Sequence, residues 1–175
     1  MKIIAFAASS STKSINKKLV TYASSLLKNA SVEVLDLNDY ELPIFSEDKE
    51  TELGQPELAK QFLAKIKACD AVMISFAEHN GSYSAAYKNI FDWCSRINPK
   101  VYQNKSVLLL ATSPGKGGGA NVLSAILKSM PFFGGVVKGS FSLPQFYENF
   151  DIEGKVVSSK ELAAQLKQEV EKMYL

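Results

Sequence analysis

The sequence holds few of the residues that perform chemistry unaided: one histidine, one tryptophan and two cysteines among 175 residues. Cys69 and Cys94 show neither metal-ligand nor dithiol spacing, and suit small buried side chains in a reducing compartment. The single histidine, His79, has no visible partner for a catalytic triad, so no metal site and no general acid or base is nominated. Long hydrophobic runs are missing too, and no apolar stretch approaches the roughly 18 residues that a membrane span needs. Neither sign of charge dominates: 20 basic side chains face 18 acidic ones, a net charge of +2. Without a dense Lys/Arg stripe, this argues against nucleic acid as a partner. An A-x-A pattern at Ala5 to Ala7 comes too soon after the start for a secretory cleavage site and reads as a first strand. Without a secretory signal, the sequons at Asn80 and Asn104 carry no weight. The chain is expected to be cytoplasmic.

What is present is an alternation. Apolar residues make up 46% of the chain and charged residues 22%, an ordinary balance for a globular fold. The length predicts a single domain over residues 1–175. Lys2 to Ala8 reads as a buried strand. Ile15, Leu19, Tyr22 and Leu26 recur at helical spacing from Ser14 to about Lys28. Val32 to Leu37 reads as a strand nearer an edge. A helix begins near Pro56 and runs through Leu58, Phe62 and Ile66. Ala71 to Phe76 is a third strand, followed by a helix from Ala85 to Ile97 that Asn98-Pro99 ends. Ser106 to Thr112 has the composition of a central strand. Leu123 to Met130 form a helix stopped by Pro131, and Gly135 to Phe141 a fifth strand. Ser158 to Glu161 read as a capping box opening a last helix.

This order predicts an α/β fold: a five-stranded parallel sheet of order 2-1-3-4-5 with helices on both faces. In such sheets ligands sit beyond the carboxyl ends of the strands, where strand order reverses. That point lies between the first and third strands, so the loops after Ala8 and Phe76 matter most. Two connections are long, Asn38 to Gln55 and Ser142 to Val157, and loops of that length usually carry function or assembly contacts.

The loop Ser9 to Asn16 (SSSTKSIN) crowds four serines, a threonine and an asparagine onto the start of a helix. Hydroxyls and free N–H groups there make an anion site. Lys13, Lys17 and Lys18 sit where the helix dipole disfavours cations, a sign that a bound phosphate reverses. A well-capped helix start with solvated lysines explains the same residues, with Ser14 as N-cap. After the third strand, Glu78-His79-Asn80-Gly81-Ser82 offers donors and a close backbone approach suited to a heteroaromatic ring, although Asn80-Gly81 is also simply a good turn. Ser113 to Gly119 (SPGKGGG) is a third glycine-rich loop on the same sheet edge, or a flexible connection. Gly115-Lys116 is followed by Gly117, so no P-loop is present. Gly115, Gly117 and Ala120 fit G-x-G-x-x-A but follow the fourth strand, with no closing acidic residue. Ala8-Ser9 excludes the acidic pair of a response regulator.

Taken together, the three loops resemble the NADPH-dependent FMN reductase family of flavodoxin-like azo, quinone and chromate reductases. The first matches S-x-R-x-x-S-x-N, except that Ser11 replaces the arginine. In the second, AEHNGSYSAAYKNIFDW keeps Glu78, Asn80, Gly81, Ser82, Lys88, Asn89, Asp92 and Trp93 in register with P-E-Y-N-G-S-x-P-x-x-L-K-N-x-x-D-W. His79 there stands for tyrosine, and Ala77 and Ser84 for prolines. The third, Ser113 to Gly119, matches S-P-G-x-x-G-G. The resemblance spans nearly the whole chain and implies bound FMN, with NADPH or NADH as co-substrate. It places Ser9, Ser11, Ser14, Ile15 and Asn16 at the FMN phosphate, and Glu78, His79, Asn80, Gly81, Ser113 and Gly115 near the isoalloxazine ring. It implies hydride passing from NAD(P)H through the flavin to a small-molecule acceptor, and a homodimer or homotetramer with Tyr83, Tyr87, Phe132 and Phe133 as apolar anchors. Two other readings stay open at this stage: a flavodoxin-type electron carrier, which the mild charge and the lack of T-x-T-G-x-T suit poorly, and a flavin-free binding or sensor protein on the same scaffold.

Overall fold

The computed structural model describes residues 1–175. The first strand, β1 (Lys2–Ala8), is buried along all but its first residue, as a central strand covered on both faces must be. It leads into α1 (Ile15–Ser25), capped by Ser14, whose Oγ accepts the Lys17 N–H. The helix stops before Lys28 because its last turn tightens, with Leu26 and Leu27 donating to Ala23 and Ser24. β2 (Ser31–Leu35) is shorter than its alternation suggests. Asp36 leaves the sheet to cap a 3₁₀ turn at Leu37–Tyr40.

The connection expected to be a long loop contains a helix, α2 (Glu47–Leu53), capped by Ser46 and closed by Gly54 at φ 67°. After it come α3 (Glu57–Ala68), with Pro56 at the N-cap, and β3 (Ala71–Phe76). A small hairpin follows, β4 (Glu78–His79) with β5 (Ser82–Tyr83), then α4 (Ala85–Ile97). Next are β6 (Lys105–Thr112), α5 (Ala120–Ser129) and a 3₁₀ turn at Met130–Phe133 that admits Pro131. β7 (Gly135–Leu143) runs two residues beyond the expected strand. The second long connection is also structured, by α6 (Phe146–Asn149) and a hairpin of β8 (Phe150–Asp151) with β9 (Val156–Val157). The last helix is α7 (Lys160–Glu171), capped by Ser159. The expected box from Ser158 to Glu161 is therefore off by one residue: Ser159 Oγ takes the Leu162 N–H, and Ser158 N–H donates to Asn149.

The sheet order is β2-β1-β3-β6-β7, every neighbour parallel. Counting only these five strands, this is the 2-1-3-4-5 order of a flavodoxin-like fold. Alternating side chains divide β1 between two cores. Ile4, Phe6 and Ala8 join Phe62, Trp93 and Ile126 under α3, α4 and α5. Ile3 and Ala5 join Leu19, Met73 and Leu166 under α1 and α7. With both faces covered, the carboxyl ends of β1, β3 and β6 are the open edge, and all three glycine- or serine-rich loops emerge there.

Candidate functional site

Where β1 and β3 send their chains to opposite sides, a cleft of about 240 Å³ opens. Its walls come from three stretches of chain: Ser9 to Asn16, Ala77 to His79, and Thr112 to Pro114, with Tyr147 of α6 at the mouth. Ser9, Ser11, Ser14, Ile15, Asn16, Glu78, His79 and Ser113, all singled out from the sequence, meet here. Asn80, Gly81 and Gly115 are not among its walls. They stand one or two residues past His79 and Pro114.

The first loop folds through its own serines. Ser9 Oγ accepts the Ser11 N–H, Ser11 Oγ the Lys13 N–H, and Ser14 Oγ the Lys17 N–H. Each hydroxyl has accepted a bond, and its own proton has no acceptor within the chain. The N–H groups of Ile15 and Asn16, in the first turn of α1, also find no partner in the protein, as helix geometry requires. Five donors thus line one wall, at the positive end of a helix dipole. Lys13 is the only lysine in that wall. Lys17 is held by Asp36, whose carboxyl is kept below its ordinary value, first by this hydrogen bond and then by the Asn38 N–H. Of the three lysines noted near the helix start, Lys17 thus has its ammonium on Asp36, just past β2.

Asn16 is 2% exposed, and its amide closes the sheet edge. Its Oδ1 accepts from Thr112 N–H at 3.0 Å and Ser75 Oγ at 2.7 Å, and its Nδ2 donates to Thr112 O at 3.1 Å. It takes the place of a strand partner for Thr112 just past the last β3–β6 pair, Phe76 and Ala111. This fixes the first loop against the third.

The second loop is a two-residue hairpin. Asn80 and Gly81 have φ of 52° and 77°, positive at both central positions as the tightest hairpin turn demands. Glu78 leaves this hairpin to cap α5: its carboxylate accepts from Val122 N–H at 2.9 Å and Asn121 Nδ2 at 3.2 Å. The N-cap of α5 is Gly119, which has no side chain to do this, so Glu78 supplies a cap from another element. His79 is exposed. Ser84, where the motif has proline, caps α4 through Tyr87 N–H and donates to Ala8 O at 2.8 Å, tying the hairpin to the end of β1. Proline can make neither bond.

The third loop is not slack. Gly118 and Gly119 have φ of 58° and 81°, and a Cβ on Gly118 would lie 2.4 Å from Ser142 Oγ. Gly115 O and Ser113 O receive the N–H groups of Gln145 and Phe146, so the segment after β7 braces this loop. The same brace brings Tyr147 to the cleft, a residue that sequence reasoning missed. Its only signal was the length of the connection that carries it. Ser75 and Thr112 were missed for a different reason: both read as ordinary strand residues.

The helical end of the second motif serves another place. Asn89 donates to Leu42 O and accepts from Phe45 N–H, while Trp93 Nε1 donates to Pro43 O at 2.8 Å. These residues moor the segment ahead of α2. Tyr87 is 4% exposed and shares a 2.8 Å hydrogen bond with Tyr102, so it is a core residue rather than a free anchor; burial raises both phenols above their ordinary range. Phe132 is 74% exposed.

A family model described as NADPH-dependent FMN reductase matches residues 1–148, which carry every loop of the cleft. The chain belongs to that family. An NAD(P)H-dependent FMN reductase of Pseudomonas aeruginosa is 26% identical over 163 residues, 91% of this chain and 86% of that protein. The NADPH:quinone oxidoreductase of Arabidopsis thaliana is 30% identical over 132 residues, 72% of this chain and 64% of the plant protein. Among solved structures, FerB, a flavoenzyme NAD(P)H:(acceptor) oxidoreductase of Paracoccus denitrificans, superposes with a TM-score of 0.77 at 24% identity. That match covers 98% of this chain and 94% of FerB. The family is one of oxidoreductases, with FMN as cofactor and NAD(P)H as co-substrate. The cleft fits FMN chemically at one end: five donors without acceptors at the start of α1 suit a phosphate monoester.

Proposed function

We propose that this FMN reductase family member is an FMN-dependent NAD(P)H oxidoreductase that reduces a small-molecule acceptor such as a quinone, an azo compound or free flavin. The observation that carries the reading is the wall of unspent donors at Ser9, Ser11, Ser14, Ile15 and Asn16, placed where strand order reverses. In this reading the three hydroxyl protons and two N–H groups hold the phosphate, and Lys13 adds a point charge where the motif has arginine at Ser11. Glu78 fixes the hairpin to α5, so that His79, Asn80 and Gly81 face the ring from a braced turn, with Ser113 and Gly115 on the opposite loop. Asn16 contributes its backbone N–H while its amide keeps the two loops in register. Bound FMN supplies the chemistry, taking hydride from NAD(P)H and delivering electrons to the acceptor. The protein's part is placement: it closes the phosphate end and leaves the ring end open between the hairpin and Tyr147.

Residues 1–175 act as one FMN-binding domain in this reading, in a homodimer or homotetramer that buries Phe132. Elution as a monomer at micromolar concentration would contradict the second point. No helix is long and apolar enough to cross a membrane. The activity is tested by mixing FMN-loaded protein with NADPH or NADH without oxygen, then adding a benzoquinone. The expected result is loss and recovery of the flavin's visible absorbance. A protein that binds FMN but stays yellow with either nucleotide is an electron carrier instead, and one that takes up no FMN is a binding protein on this scaffold.

A further inference from the structure

A second cavity, about 370 Å³, opens between α4 and the end of α5 and shares no lining residue with the cleft. Aromatic rings make most of its wall. Phe91 stacks on Tyr87 and Tyr102 at 5.8 and 6.4 Å, and meets Phe133 edge-on at 4.6 Å. Ile126 and Met130 complete the apolar lining. Its size is that of a pocket for a small organic molecule rather than a packing gap.

Tyr87 and Tyr102 both line this cavity, and they are 4% and 1% exposed. Their hydroxyls lie 2.8 Å apart and bond to each other. Burial raises both phenols above their ordinary range, so at neutral pH the pair carries two protons. One mutual hydrogen bond uses only one of them. Neither hydroxyl has any other partner in the chain, so one buried O–H proton is left without an acceptor. Buried tyrosine hydroxyls ordinarily find a partner, and one left over requires an explanation. The charged and serine groups of the lining are already engaged. Lys88 is paired with Asp92, Ser95 Oγ donates to Asp92 O, and Ser129 Oγ donates to Ala125 O. With no unpaired charge in its walls, the cavity suits a neutral occupant: a flat apolar body carrying one acceptor oxygen.

We propose that this cavity is a second ligand site, which takes a neutral aromatic carbonyl compound whose oxygen accepts the spare proton of the Tyr87–Tyr102 pair. The site is independent of the oxidoreductase reading above. It is tested by titrating the full chain, carrying ¹³C-labelled Met and Ile methyl groups, with 1-indanone and with indane, the same ring system without the carbonyl. Indanone is expected to shift the Met130 and Ile126 methyl signals saturably, and to leave that of Ile15, in the cleft wall, unmoved. It should bind at least about fivefold more tightly than indane, as one hydrogen bond to an otherwise unpaired donor provides. The double variant Tyr87→Phe/Tyr102→Phe removes both hydroxyls and keeps the shape of the wall. It should melt within a few degrees of wild type or higher, and bind the two compounds equally. Equal affinity of wild-type protein for indanone and indane would overturn the proposal, as would a preference that survives in the variant. Shifts at Ile15 alone would place the ketone in the cleft and overturn it. So would Met130 and Ile126 signals that respond to protein concentration and not to ketone, which would mean that a second copy fills the cavity, or that respond to neither. The titration needs neither flavin nor turnover, so a failure of the proposed activity and a failure of this site give different results.

Discussion

Asn16 shows how much can depend on one buried amide. Three hydrogen bonds connect it to Ser75 and Thr112, which lie 59 and 96 residues away in sequence. Replacing it with leucine strands the Ser75 hydroxyl and both backbone groups of Thr112 in the interior. At about 1–3 kcal/mol for each unpaired buried group, Asn16→Leu should cost about 3 kcal/mol or more in urea unfolding. A loss below about 1 kcal/mol would show that the amide is not the tie between the loops. The motif marked Asn16 as important, but its partners could not be read from spacing, because hydrogen bonding across a sheet is a property of register. Glu78 is a similar case: its place in the loop was legible, and its service to α5, 44 residues on, was not. The Lys17–Asp36 pair carries a pH signature. Asp36 is held below its ordinary value of 3.8 in the folded protein, so the pair's contribution is present above that pH and is lost as pH falls through the lower, folded value. Both side chains are substantially exposed, so Asp36→Asn should cost at most about 1 kcal/mol at pH 7. The difference from wild type should begin to shrink in urea titrations as pH falls to 3.8 and vanish below the lower, folded value; a difference that stays constant as the carboxyl is protonated would rule out the ion pair as its source.

At the scale of elements, the glycine-rich loop divides into positions that must be glycine and positions that need not be. A Cβ on Gly118 would sit 2.4 Å from Ser142 Oγ and 2.9 Å from Pro144 N, in a left-handed backbone, whereas one on Gly117 would meet nothing within 4 Å. Gly118→Ala should therefore lower stability by about 2 kcal/mol or more, and Gly117→Ala by only a few tenths. Equal thermal shifts for the two would contradict the claim that this loop is packed. The strands and main helices were legible because buried strands and amphipathic helices follow from apolar spacing alone. The two long connections were recognised by length, but their contents were not. α2 (EDKETEL) buries no residue and has no apolar stripe to reveal it. The β8–β9 hairpin has two residues per strand, too few for an alternation to appear. The capping residue of α7 was missed by one position because Ser158 and Ser159 are chemically equivalent, and only the chain's path past Asn149 chooses between them.

At the scale of the whole molecule, two apolar cores on opposite faces of one sheet leave the carboxyl edge as the place where loops can carry function. The cysteines belong to that core. Burial pushes the Cys94 thiol up to about 12 and raises Cys69 as well, so neither forms a thiolate near neutral pH. Native protein at pH 8 should react negligibly with a thiol reagent such as Ellman's and release both thiols only in denaturant; fast native labelling would contradict the burial of both. The central claim is that the donors of Ser9, Ser11, Ser14, Ile15 and Asn16 form a phosphate cradle for FMN. It is tested most directly by titrating the FMN-free protein with FMN and with riboflavin, which differ only in the phosphate, and following flavin fluorescence. Charge-assisted hydrogen bonds of about 1.5–3 kcal/mol each predict that FMN binds at least about a hundredfold more tightly than riboflavin. Equal affinity for the two flavins, or no binding of either, would contradict it.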